Sequence, residues 1–320
     1  MTLMRSFAIA GAIAVGFAAP AFAQAVSIVT TPAGSYTNSA GAAMAKVITE
    51  KSKVRAILQA QAQQGMIPVA GESAEFGMSN SFDLTFYVTG TGEYEGQGVK
   101  TNLRLVASLL PYRVAFHVRA DSDIKTIADL KGKRVGGGFN AQKTIARITE
   151  AHLANAGLSY KDVTEVLTPN VSRSAEDFAG GKTDMLFFAL GSAAVKQAAA
   201  TVGGVRVLPI DPSPDAVKRM QAVLPGSYVV DVEPAPALDG ITAPTKVVAF
   251  DMVLCTNTTV SEDTVYQVVK TLHQNKAGLV AAFGSFNLFN PEHMAKPVKD
   301  IELHPGAARY YREAGLLPKS

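Results

Sequence analysis

Val26-Ser27-Ile28-Val29-Thr30, then Thr31-Pro32-Ala33-Gly34-Ser35, then Ala40 to Lys51: this stretch decides the fold. The first five residues are β-prone and read as a strand. The Pro-Ala-Gly-Ser run after it has turn chemistry. Ala40, Ala43, Met44, Val47 and Ile48 recur at helical spacing, so they share one face of a helix. A strand, a glycine-containing loop and a helix, in that order, are the repeating unit of an α/β sheet. Such a loop lies at the carboxyl end of its strand and feeds a helix N-terminus, where open α/β sheets bind ligands.

The alternation continues outward. Val54 to Leu58, Phe76 to Met78 and Leu103 to Leu110 read as strands, the last ended by Pro111. Ile124 to Lys133 reads as a short helix closed by glycine, and Arg134-Val135 as entering a Gly136-Gly137-Gly138 turn. Thr144 to Ala156 is expected to be a helix stopped by Gly157, and Val163 to Leu167 a strand. Asp184 to Phe188 is a strongly apolar strand, followed by Gly191-Ser192 and an alanine-rich helix to Ala200; Val205 to Ile210 is a further strand. Residues 231–245, with Pro234, Pro236, Gly240 and Pro244, read as a long irregular connection before a strand from Lys246 to Thr256. Ser261 is a helix cap ahead of Val265, Val268, Val269 and Leu272, which form one buried face. Pro305 opens a last helix that Gly315 stops. There is no tandem repeat, but the strand–glycine-loop–helix unit occurs around Gly34, Gly138 and Gly191. Three such loops point to backbone donors converging on a small anion; glycines that merely make tight turns are the plainer alternative.

Composition narrows the function. Residues 1–23 have the form of a secretory signal peptide: Arg5 in a basic start, an apolar run from Phe7 to Ala19, and Ala21-Phe22-Ala23 as a small-x-small cleavage site. Export to a periplasm is therefore expected. The formal charge of +3 loses one unit with Arg5, and no dense Lys/Arg block follows, which argues against nucleic acid. Cys255 is the single cysteine and lies in an apolar run, as a buried inert thiol would. The histidines, His117, His152, His273, His293 and His304, lack metal-ligand spacing, so no metal or cofactor is expected. No Gly-x-Ser-x-Gly elbow, P-loop or dinucleotide fingerprint is present, so nothing supports an enzyme.

Four stretches carry a family resemblance: Gly34 to Lys46; Ala120 to Val135; Gly181 to Phe188 leading to Gly191-Ser192; and His304 to Leu316. From about Val26 to Leu317 the chain resembles the solute-binding subunits of tripartite ATP-independent periplasmic (TRAP) transporters of the TAXI type. The resemblance implies an α/β, two-lobed periplasmic binding protein, a Venus flytrap of the type II-like class with a hinged interlobe cleft. It also implies a TRAP membrane permease as partner, and glutamate, glutamine or related acids as solutes. The boundaries expected on that basis are a leader over 1–23, a first lobe from 24–112 and 251–320, and a second lobe from 113–250, in a monomer. The family's paired tyrosines are replaced by Thr37 and Asn38, its Gly-Gly-Ser loop by Gln61 to Met66, and its Ser-Gly-Thr by Phe139 to Thr144. All three changes fall on the expected cleft, so the scaffold carries over while the solute need not.

The ligand-binding residues expected on these grounds are Gly34, Ser35, Tyr36 and Asn38 on the first loop, Asn80 and Ser81 after the third strand, and Asn140, Gln142, Lys143 and Thr144 at the second-lobe helix. Arg173 is expected to clamp a carboxylate, and Gly191 and Ser192 to offer backbone donors. Each has a plain alternative: a structural turn for the glycine loops and Asn80-Ser81, solvated surface for Lys143 and Arg173. Phe187 and Phe188 alternate faces of a strand, so one can reach the cleft; core packing is the plainer reading. A periplasmic sensor and a periplasmic enzyme on the same fold are the competing functions.

Overall fold

The structure is a computed structural model and describes residues 24–318; the expected leader lies outside the described residues. The chain forms β1 (Gln24–Thr30), α1 (Tyr36–Lys51), β2 (Val54–Ala60), α2 (Met66–Ala70), β3 (Phe76–Asn80), α3 (Ser81–Thr89), β4 (Leu103–Arg119) and β5 (Arg134–Gly138). Next come α4 (Lys143–Asn155), β6 (Thr164–Thr168), α5 (Val171–Ala179), β7 (Leu186–Ala189), α6 (Ala193–Val202), β8 (Val205–Leu208), α7 (Pro214–Val223) and β9 (Tyr228–Val232). The chain closes with β10 (Thr245–Asn257), α8 (Glu262–Gln274), α9 (Lys276–Ala282) and α10 (Pro305–Glu313). It is the expected α/β fold.

Two long strands organise it. β4 and β10 pair antiparallel from Val114↔Val248 to Leu103↔Asn257 and run through both halves of the molecule. At one end, the β10 residues Met252 to Thr256 pair with β3, which lies beside β1 and then β2. At the other end, Thr245 to Ala249 pair with β9, while Val114 to Arg119 of β4 pair with β7 and β8. The first lobe gathers α1, α2, α3, α8, α9 and α10 around its strands, and the second gathers α4 to α7. β5 and β6 form a separate parallel pair in the second lobe.

Local sequence explains most elements. α8 buries Val265, Val268, Val269 and Leu272 completely, as its spacing requires. Each such side chain contributes roughly 1.5–3 kcal/mol by leaving water. Ser261 accepts from the Thr264 N–H as its cap.

Several expectations are corrected. Pro111 does not end β4: it lies opposite Asp251, next to an irregularity between Asp251 and Val253 that tolerates a residue with no N–H to give. Gly136, Gly137 and Gly138 lie in β5 rather than in a turn; a side chain on Gly137 would meet the Glu165 side chain of β6, and Gly138 ends the strand with a left-handed φ of 79° that favours glycine. Ile124 to Lys133 forms only a 3₁₀ turn, Ile127–Leu130, held by a reciprocal cap between Thr126 and Asp129. The irregular connection after residue 231 begins as β9, and α2, α3, α5, α7 and α9 were not anticipated.

Candidate functional site

Between the lobes lies a small enclosed cavity of about 30 Å³, lined from the first lobe by Thr31, Thr37, Gln64, Ser79, Asn80, Tyr112 and Met252. The second lobe closes it with Gln142, Ile145, Ile148, Val171, Phe187, Phe188 and Ala189. That volume holds about one water-sized molecule. Gln64 and Gln142 also line a larger open vestibule of about 510 Å³, with Gln61, Gln63, Tyr94, Gln97, Asn140 and Lys143 around it. A small polar pocket therefore sits beneath a mouth rich in carboxamides, with two amides between them.

Four helices begin at the inner cavity. Thr37 belongs to the first turn of α1, Asn80 is the cap of α3, Gln142 the cap of α4, and Val171 the first residue of α5. Helix N-termini carry partial positive charge, so the cavity favours a negative or electron-rich group. None of the residues lining it is Lys, Arg, Asp or Glu. The field is thus supplied by backbone dipoles, which cost no side-chain ordering when a ligand arrives.

The polar walls are held in place from below. Ser35 caps α1, accepting from the Asn38 N–H at 3.2 Å, and its hydroxyl accepts from Thr31 Oγ1 at 2.8 Å. Thr31 and Thr37 are hydrogen-bonded to each other. Asn80 Oδ1 accepts from the Asp83 N–H at 2.8 Å. Gln142 Oε1 accepts from the Val171 N–H at 3.0 Å, tying the starts of α4 and α5 together. Gln64 reaches the cavity because its loop crosses directly over β3. A side chain on Gly77 would meet the Gly65 carbonyl at 2.3 Å, and one on Gly65 would meet the Val29 and Met78 carbonyls at 2.7 Å. Glycine at both positions is what lets the loop lie flat on the strands.

The lobes touch at several points around the site. Gln64 Nε2 donates to Thr144 Oγ1 at 3.3 Å, and Thr144 donates to Asp83 Oδ2 at 3.1 Å. Arg147 of α4 pairs with Glu93 of the first lobe. The Ala194 N–H at the start of α6 donates to the Gly34 carbonyl at 3.3 Å.

The expected residues divide into three groups. Asn80 and Gln142 line the inner cavity, and Asn140, Gln142 and Lys143 line the vestibule. Lys143 is exposed at the first position of α4, where the helix field disfavours a cation. Ser35, Tyr36, Asn38 and Thr144 stand one layer back. Asn38 donates to Thr30 Oγ1 at 3.0 Å. Tyr36 is packed between Tyr112 and Phe283, each ring 5.1 Å away, and burial pushes its hydroxyl up to about 12.

The rest do not meet the cavity. Gly34 turns its carbonyl to α6 and lines a separate shallow groove. Ser81 lines another groove, with Phe82 and Asp251. Arg173 lies in the first turn of α5, away from the cavity, and pairs with Glu176 at 3.0 Å and Asp177 at 3.2 Å on its own helix. Gly191 packs near Leu238 and Ser285, and Ser192 donates to the Ala189 carbonyl at 2.7 Å.

Thr31 and Ser79 were missed as cavity residues, although each stands beside named ones, before the Gly34 loop and before Asn80. Thr37 and the loop carrying Gln64 were expected on the cleft but not among the ligand-binding residues. Both Phe187 and Phe188 line the cavity while staying buried.

The fold has known counterparts. The periplasmic binding protein BugD superposes with a TM-score of 0.58 at 13% identity, over 92% of this chain and 98% of that one. A structure described as a periplasmic transporter gives 0.56 at 13% identity, over 91% and 93%. A putative sulfonate transporter's periplasmic sulfonate-binding protein SsuA, from Methylobacillus flagellatus KT, gives 0.50 at 14% identity, over 93% and 96%. At such identities the likeness is one of fold: the mixed sheet and flanking helices are those of periplasmic binding proteins. The sequence itself matches across residues 28–315, nearly the whole described chain, and the protein belongs to the NMT1-like family.

Proposed function

We propose that this protein is a periplasmic solute-binding protein that captures a small, carboxylate-bearing solute and passes it to a membrane permease. The observation that carries this reading is the enclosed interlobe cavity at which four helices begin and which no charged side chain lines. The acidic group of the solute sits at these helix starts, with hydroxyls of Thr31, Thr37 and Ser79 as further partners. Ile145, Ile148, Phe187, Phe188 and Met252 supply an apolar wall for the solute's carbon skeleton. Lys143 at the vestibule adds long-range attraction for an anion.

The cavity admits one water-sized molecule, so the lobes part to take up a solute and close over it. Bending falls where the lobes exchange, at Tyr112-Arg113 on β4 and Phe250-Asp251 on β10. That crossover supports lobe boundaries at 112 and 250. Contacts from both lobes favour the closed form, and this difference in affinity is what signals loading. The TAXI-like stretches support a TRAP permease as the partner and export by the leader over residues 1–23. Capture and delivery of this kind need no cofactor.

A thermal-shift screen of refolded protein from residue 24 onward, against amino acids, 2-oxoacids, dicarboxylates and sulfonates, tests the reading. Refolding removes any solute carried through purification. A ligand at 100-fold above its Kd adds about 2.7 kcal/mol of stability. Stabilisation by a carboxylate class supports the assignment; stabilisation by sulfonates alone, or by none of the panel, overturns it.

A further inference from the structure

Asp83 is a completely buried carboxyl with no place in the solute cavity. It lies in the first turn of α3, in the first lobe, and one of its oxygens accepts from the Tyr94 hydroxyl of the same lobe at 2.8 Å. The other accepts from Thr144 at 3.1 Å, and Thr144 belongs to α4 of the opposite lobe. Gln64 extends the contact by donating to the Thr144 oxygen at 3.3 Å. Three residues further along α4, Arg147 pairs with Glu93 and covers the Phe86 ring at 5.1 Å. Asp83 is therefore roofed by the second lobe only while the lobes are together.

We propose that Asp83 is a proton-sensitive latch between the lobes: closure buries its carboxyl beneath Thr144 and the carboxyl takes up a proton, which it donates to the Thr144 oxygen, so acid favours the closed form. The proposal rests on the reading that the lobes part and close. The titratable groups facing Asp83 are Tyr94 and Glu93 from its own lobe. The α4 side presents the Thr144 hydroxyl, with Arg147 directed at Glu93. Burial raises the Asp83 carboxyl to about 7, the Tyr94 and Thr144 hydrogen bonds pull it down, and Glu93 pushes it up.

Opening returns water to the carboxyl and with it an ordinary carboxylate range. The closed form then binds more protons than the open form. Closure is strongest below the ordinary range, weakens as pH rises toward about 7, and changes no further above that.

The test is single-molecule energy transfer between dyes on Lys53→Cys and Lys161→Cys, exposed positions on opposite lobes. The native Cys255 is buried and stays unlabelled. Without any solute, the closed-to-open ratio is expected to fall by up to about tenfold per pH unit from about pH 5 to about pH 7 and then to level off. Asp83→Asn is expected to remove the slope, and Thr144→Val to lower the closed fraction throughout that range. Because Asp83→Asn tests folding as well as titration, the unsubstituted pH series stands as an independent measurement. Two populations in a ratio independent of pH, or an unchanged slope in Asp83→Asn, overturn the latch. One unvarying distance at every pH, in Thr144→Val as well, overturns the lobe motion itself and the latch with it.

Discussion

Asn80 does two things with one side chain. Its carbonyl oxygen caps α3 at the Asp83 N–H, and the residue lines the interlobe cavity. Asn80→Ala is expected to lose about 1 kcal/mol of stability, the usual worth of such a cap, and to weaken solute binding as well. Urea unfolding reads the first effect and titration calorimetry with the screened solute reads the second. Asn80→Asp, which keeps the cap, is expected to restore stability but not binding, because it puts a negative charge where an anionic group should sit. His117 and His152 make a different prediction. Both are buried in the second lobe, and burial lowers each from 6.5 to about 4. The unfolded chain takes up protons at these rings before the folded one does. Their neutral forms are therefore fully compatible with folding above about pH 6.5, and stability is lost as pH falls toward about 4. The loss is on the order of 2 kcal/mol per histidine by about pH 5. His117→Phe is expected to remove about 2 kcal/mol of acid destabilisation between about pH 7 and about pH 5, read from urea unfolding at the two pH values.

At the scale of elements, the crossing of the Gln61–Gly65 loop over β3 is the most constrained contact of the site. Gly77→Ala would drive a methyl group into the Gly65 carbonyl, which is backbone and cannot swing aside. It is expected to destabilise the protein by several kcal/mol and to displace Gln64, so that binding falls by more than stability alone explains at temperatures where the variant is folded. Gly284→Ala, with nothing within 4 Å of the added carbon and no left-handed backbone, is the comparison for loss of a glycine alone. The same scale shows what could be read from the chain in advance. β1, α1, α8 and β10 were legible because each has one dominant local signal: an alternating run, a clean apolar face or a cap. α3 was not, since Ser81-Phe82-Asp83-Leu84-Thr85-Phe86-Tyr87-Val88-Thr89 is rich in aromatic and β-branched residues that favour strands. It is helical because Asn80 caps it and because Phe82, Leu84 and Tyr87 all find buried places. α5 was hidden behind Pro169, and Arg173 was consequently taken for a loop residue free to reach a ligand. Asn80 and Gln142 were found because strand–loop–helix junctions announce themselves locally. The Gln64 loop and Phe187 were expected near the cleft but not among the ligand-binding residues, and Met252 was not assigned at all, because only tertiary packing brings a loop and two strand interiors to one cavity.

At the scale of the whole molecule, the two acid responses oppose each other. Asp83 gains protons on burial and the two histidines lose them, so acid strengthens the first contribution while it weakens the second. Unfolding of Asp83→Asn is therefore expected to be more sensitive to acid than that of the unsubstituted protein, a difference visible in melting curves taken between about pH 5 and about pH 7. The long strands β4 and β10 also bear on how the molecule unfolds. Neither lobe can let go of them without exposing the other's sheet edge, so calorimetry of the solute-free protein is expected to give one transition rather than two. Their placement has a further consequence for the order of events in synthesis. β3 finds its sheet neighbour in β10, and Cys255 hydrogen-bonds to a glycine carbonyl 178 residues earlier in the chain. A chain wired in this way cannot complete its first lobe while a ribosome is still making it. Contacts so distant in sequence form slowly, which leaves the nascent polypeptide extended and threadable for longer, a useful delay under the proposed export.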